Sequence, residues 1–69
     1  MFDKIKVQLG DDNNRNYKRV VEIELSRLAI ISLRHCEGDY DAAWDQMLDA
    51  IEDTYRDLPR SWFVDKVLF

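Results

Sequence analysis

The stretch KIKVQLGDDNNRNYKRVVEIEL, residues 4–25, decides how this chain begins to fold. Ile5, Val7 and Leu9 alternate with Lys4, Lys6 and Gln8, which is the period of a strand with one wet face and one buried face. Residues 10–16 are polar, and Asp and Asn dominate them because their side chains bond the nearby backbone in turns. Alternation then resumes in YKRVVEIEL, with Val21, Ile23 and Leu25 set against Glu22 and Glu24. Two alternating runs around a polar connection predict a β-hairpin with a longish loop.

At Ser26 the period changes. Serine before an apolar run is a helix N-cap, since its hydroxyl accepts from an amide that the first turn leaves unpaired. Leu28, Ala29, Ser32, Leu33 and Cys36 then share one broad face, while Arg27 and Arg34 mark a single narrow polar stripe. A short helix so nearly apolar all round is expected to be mostly buried, with Cys36 in the core. Gly38 stands where a helix stop belongs, and Asp39 or Asp41 caps the next helix.

That second helix is read over about residues 41–57, ending before Pro59. At 100° per residue, Tyr40, Trp44, Met47, Leu48, Ile51, Tyr55 and Leu58 form one arc, which is expected to be the buried one. Asp41, Asp45, Asp49, Glu52, Asp53 and Asp57 occupy the opposite arc. In the tail SWFVDKVLF a third strand is favoured over a terminal helical turn. The fold expected is α+β: a single domain over residues 1–69 in ββααβ order, with a two- or three-stranded antiparallel sheet packed on two helices.

Composition narrows the function classes. At 69 residues the core is small, yet 46% of residues are apolar, too many for a disordered chain. Cys36 is the only cysteine, so no internal disulfide staples the fold, and there is no zinc-type Cys/His set. Trp62, Phe63, Val64, Val67, Leu68 and Phe69 crowd the C-terminal segment with more apolar surface than a small sheet covers. A homodimer through that segment, or burial against a partner, is therefore expected. Met1 leads straight into an alternating run and no apolar stretch approaches a bilayer span, so a cytoplasmic setting without membrane contact is expected. The net charge of −4 is unevenly spread. Residues 1–36 carry seven Lys/Arg against five acids, a net of +2, and residues 37–69 carry three against nine, a net of −6.

The Asp ladder is the candidate site. Like charges four apart on a helix repel by about 0.2–0.5 kcal/mol per pair, and Asp is a weak helix former. A solvated face that keeps a small protein soluble is the plain explanation. A docking surface for a basic partner is the sharper one. Steps of four residues climb about 6 Å, comparable to the few ångströms between phosphates of a nucleic-acid strand, and the row drifts about 40° per step as a strand winds. Such carboxylates can occupy a groove built for a phosphate backbone. Metal binding suits them less, because hard cations need ligands converging from several elements. DDNNRN lacks the Gly and Glu of a calcium loop.

Enzymatic chemistry finds little support. Neighbours on a helix point about 100° apart, so His35 and Cys36 cannot serve as base and nucleophile to each other. Gly10 and Gly38 are the only glycines, too few and too far apart for a phosphate loop. Lys4, Lys6, Arg15, Lys18, Arg19 and Tyr17 cluster on the hairpin, but Asp11, Asp12, Glu22 and Glu24 interrupt them.

ISLRHCEGDYDAAWDQML (31–48) resembles the helix–Gly-Asp–helix segment of ubiquitin-associated domains through Leu33, Gly38, Asp39, Ala42, Ala43 and Leu48. The shared residues have plain roles: a glycine stop, an aspartate cap and small residues at a helix contact. In size and charge the chain is similar to the small acidic inhibitors encoded by phages, including DNA-mimic and anti-CRISPR proteins. The expected function is a non-enzymatic interaction module without cofactor or small-molecule substrate. Its acidic helix face (Asp41, Asp45, Asp49, Glu52, Asp53 and Asp57) would occupy a basic nucleic-acid-binding protein. The rival is a small dimeric regulator that touches nucleic acid through its basic hairpin.

Overall fold

The computed structural model describes residues 1–69 and has the expected element order. β1 (Phe2–Asp11) and β2 (Arg19–Ser26) form the hairpin, α1 (Arg27–His35) and α2 (Tyr40–Thr54) follow, and β3 (Trp62–Leu68) closes the chain. The strands make one antiparallel sheet in the order β2-β1-β3, so the first strand is central.

Alternation places the core. Ile5 lies opposite Ile23 and Val7 opposite Val21, and these four, with Leu9 and Leu25, turn to the helices and are buried. Ala29 and Leu33 of α1 and Ala43, Met47 and Ile51 of α2 complete one contiguous cluster. No polar or charged residue is buried, so hydrophobic packing alone holds this core. In the hairpin loop the Asp11 and Asn14 side chains accept from the amides of Asn13 and Asn16, which is why Asp and Asn crowd there.

The Ser26 cap forms as expected: its hydroxyl oxygen accepts from the Ala29 amide at 3.2 Å. The expected burial of α1 does not. Only Ala29 and Leu33 are buried, while Leu28 is 79% and Ile31 42% exposed. A nine-residue helix lying on the sheet and against α2 can hide one stripe, and its remaining apolar residues face outward. Cys36 is exposed rather than in the core, because it terminates α1 in the left-handed region at φ 53° and turns off the helical face. Gly38, at φ 64°, supplies a second left-handed residue further along the link, not the helix stop itself.

Asp39 caps α2 by accepting from the Ala42 amide at 3.2 Å. The buried stripe of α2 is Ala43–Met47–Ile51, about 40° around the helix from the arc centred on the aromatics. Trp44 and Leu48 lie at its rim, half-buried, with Trp44 stacked on Tyr40 at 6.1 Å. Small Ala43 lets the helix approach its neighbours, whereas the large rings fit only at the edge. The helix ends at Thr54, not near residue 57. Tyr55 is extended, and its hydroxyl bridges the backbone of Glu22 on β2, accepting from the N–H and donating to the carbonyl, both at 3.2 Å.

β3 is the third strand, and it adds to the far side of β1, away from both helices. A register shift between Gln8 and Leu9 places Lys66 opposite Gln8 and Val64 opposite Leu9, with Asp65 as the extra residue of a bulge. The Phe63 ring covers Gly10. A Cβ at that position would meet the ring at 2.6 Å, so only glycine allows this close cross-strand contact.

Candidate functional site

α2 presents its acids on one side because its Ala43–Met47–Ile51 stripe is held against β2 and α1. Asp41, Asp45, Asp49, Glu52 and Asp53 all lie on the opposite side and all are exposed. From Asp41 to Asp53 the row runs about 18 Å along the helix. The three ion pairs of the molecule are Lys4–Glu22, Arg19–Asp57 and Arg27–Asp3, so none of these five carboxylates has a basic partner within reach. Three like-charged pairs at four-residue spacing thus stand uncompensated, at a cost of about 0.6–1.5 kcal/mol. Asp53, one residue from the helix end, also faces the negative end of the dipole.

The structure separates Asp57 from this set. It lies beyond α2 in the extended connection, and both its oxygens accept from Arg19 Nη1 at 3.2 Å. The Arg19 guanidinium sits 5.0 Å over the Tyr55 ring. Tyr17 and Asp57 both hold its pKa above the ordinary arginine value through their hydrogen bonds to the guanidinium. Asp57 thereby ties the end of α2 to β2. Arg56, also past the helix end, makes no ion pair.

Beside the acidic row runs a groove between α1 and α2 of about 470 Å³. It is lined by Leu28, Ala29 and Ile31 of α1, by Ala42 and Ala43 of α2, and by Glu37 and Asp39 of the link between the helices. The exposed Leu28 and Ile31 were not singled out in the sequence as surface residues. No local signal marks them, because a helix apolar nearly all round reads as buried, and only the placement of α1 over the sheet leaves them in water. The groove adds apolar contact area alongside the carboxylates.

The basic residues of the hairpin do not form one patch. Lys4 pairs with Glu22 at 3.8 Å and Arg19 with Asp57, leaving Lys6 on β1 and Arg15 and Lys18 in the loop. His35 and Cys36, one at the end of α1 and the other its left-handed cap, are both exposed. No three His, Cys, Asp or Glu side chains converge on one point, because the acids diverge along a single helix. No helix is long and apolar enough to cross a membrane. Comparisons with protein-family models, with curated proteins and with solved structures found no match to this chain.

Proposed function

We propose that this chain is a protein-interaction module, not an enzyme. Its acidic α2 face occupies a basic nucleic-acid-binding surface of a partner protein, in the manner of a phage-type DNA mimic or anti-CRISPR protein. The observation that supports this reading is the row of five exposed carboxylates with no ion-pair partner, on a helix that is destabilised by carrying them. Solubility alone needs neither short Asp side chains nor this regular spacing, since carboxylates scattered over the surface serve it as well.

In this reading Asp45, Asp49 and Asp53 meet the lysines and arginines that otherwise hold phosphates, and Asp41 and Glu52 flank them. Asp57 acts differently from the others: its bond to Arg19 fixes the end of α2, and it contributes charge only at the margin. Leu28 and Ile31 supply apolar contact beside the acids. Steering by the acidic half of the chain speeds encounter with a basic partner at low salt and is screened over about 10 Å at 0.1 M.

The test is affinity capture from lysate by the wild type and by the Asp45→Asn, Asp49→Asn, Asp53→Asn variant, with added nucleic acid as competitor. Nucleic-acid-binding proteins retained by the wild type, lost with the variant and displaced by the competitor would support the reading. Identical retention by both proteins, or retention that nucleic acid does not disturb, would overturn it.

A further inference from the structure

The two edges of the sheet are treated differently. On β2 the outer edge is closed at its middle, where Tyr55 takes both backbone groups of Glu22. On β3 nothing comparable exists. Neither helix packs its backbone along it, and the backbone of residues 63–68 makes no hydrogen bond other than those to β1. An open strand edge is a template for another strand.

The bulge decides what that strand can be. Val64 lies opposite Leu9 on the helix side of the sheet, and Lys66 lies opposite Gln8 on the other side. Asp65 is on the Gln8 side too, since its carboxylate accepts from Gln8 Nε2 at 2.8 Å. Phe63 is there as well, over Gly10, while Phe69 lies on the helix side, beneath the Arg34 guanidinium at 5.2 Å. Adjacent Asp65 and Lys66 therefore share one face, which an unbroken strand forbids.

We propose that β3 pairs antiparallel with β3 of a second copy about a two-fold axis between Asp65 and Lys66, giving a continuous six-stranded sheet. A two-fold axis normal to a sheet keeps each side chain on its own face, so opposed residues must share a face. With the bulge, this register satisfies that rule along the whole strand. It sets Asp65 against Lys66 of the second copy, Val64 against its Val67, and Phe63 against its Leu68. Unlike charges meet twice and apolar residues meet apolar ones. Moving the register by one residue either way opposes Val64 or Val67 to a residue of the wrong face. The contact also covers Phe63 and Phe69, which are 40% and 53% exposed in the single chain. Both acidic helices end on the same side of the joined sheet, and the proposal does not depend on what they bind.

Sedimentation of the intact chain up to millimolar concentration tests this, with circular dichroism to verify folding. The wild type is expected to dimerise with rising concentration. Asp65→Lys or Lys66→Asp alone puts like charges at both symmetric contacts and should weaken self-association about tenfold. An equimolar mixture of the two variants should recover association, because each new lysine then faces an aspartate and each new aspartate a lysine. A wild type that stays monomeric, single variants that dimerise as well as it does, or a mixture no better than its components would each overturn the proposal.

Discussion

Neutralising the acidic row should make this protein more stable, not less. The perturbation is the triple change Asp45→Asn, Asp49→Asn, Asp53→Asn. Asp and Asn have similar helix propensity, so the backbone preference hardly alters. What changes is charge. The pairs Asp41–Asp45, Asp45–Asp49 and Asp49–Asp53 all disappear, which returns about 0.6–1.5 kcal/mol. Removing the charge at residue 53, in the last turn, relieves a further 0.3–1 kcal/mol or so against the helix dipole. None of the three residues takes part in an ion pair, so no compensating attraction is lost. The expected gain is about 1–2 kcal/mol, and for a domain of this size Tm rises by roughly 4–8 °C per kcal/mol. Thermal unfolding followed by circular dichroism at low salt measures it. Repeating the scan near 1 M salt, where the screening length falls to about 3 Å, should shrink the difference between the proteins. A variant less stable than the wild type would refute the reasoning, as would a difference indifferent to salt. The first result would mean that the carboxylates hold the fold, and a face that holds the fold is not free to dock; the second would mean that the change does not come from exposed charge.

Two further changes test the packing that presents this face. Ile51 is fully buried in the α2 stripe, so Ile51→Ala should cost about 2–5 kcal/mol in urea unfolding. A loss below about 0.5 kcal/mol, the range of surface changes, would show that the stripe is misplaced. Tyr55→Phe removes the hydroxyl that bridges Glu22 and should cost about 1 kcal/mol, with faster hydrogen exchange at the Glu22 amide. An unchanged exchange rate would mean that water serves that edge as well as tyrosine does.

Much of the architecture is local and was legible. Alternation in residues 4–9 and 20–25 names the buried side of each hairpin strand, since side chains on a strand can only alternate. Ser26 and Asp39 cap their helices with bonds that reach three residues along the chain. The acidic side of α2 follows from helical period alone, whatever the helix packs against. Each of these depends on residues within a turn or two of one another.

What the sequence could not decide depends on residues far apart. α2 stops at Thr54 because Tyr55 is drawn to the edge of β2, 33 residues earlier, and that stop moves Asp57 from the acidic row to Arg19. The side on which β3 adds and the bulge that turns Asp65 beside Lys66 arise from its register with β1, which no pattern inside SWFVDKVLF contains. Leu28 and Ile31 are as apolar as Leu33, and only the placement of α1 over the sheet leaves them in water. Local periodicity says which residues share a side of an element. Which side is covered is settled by where the other elements come to rest, because burial belongs to a contact between two surfaces and not to either one alone.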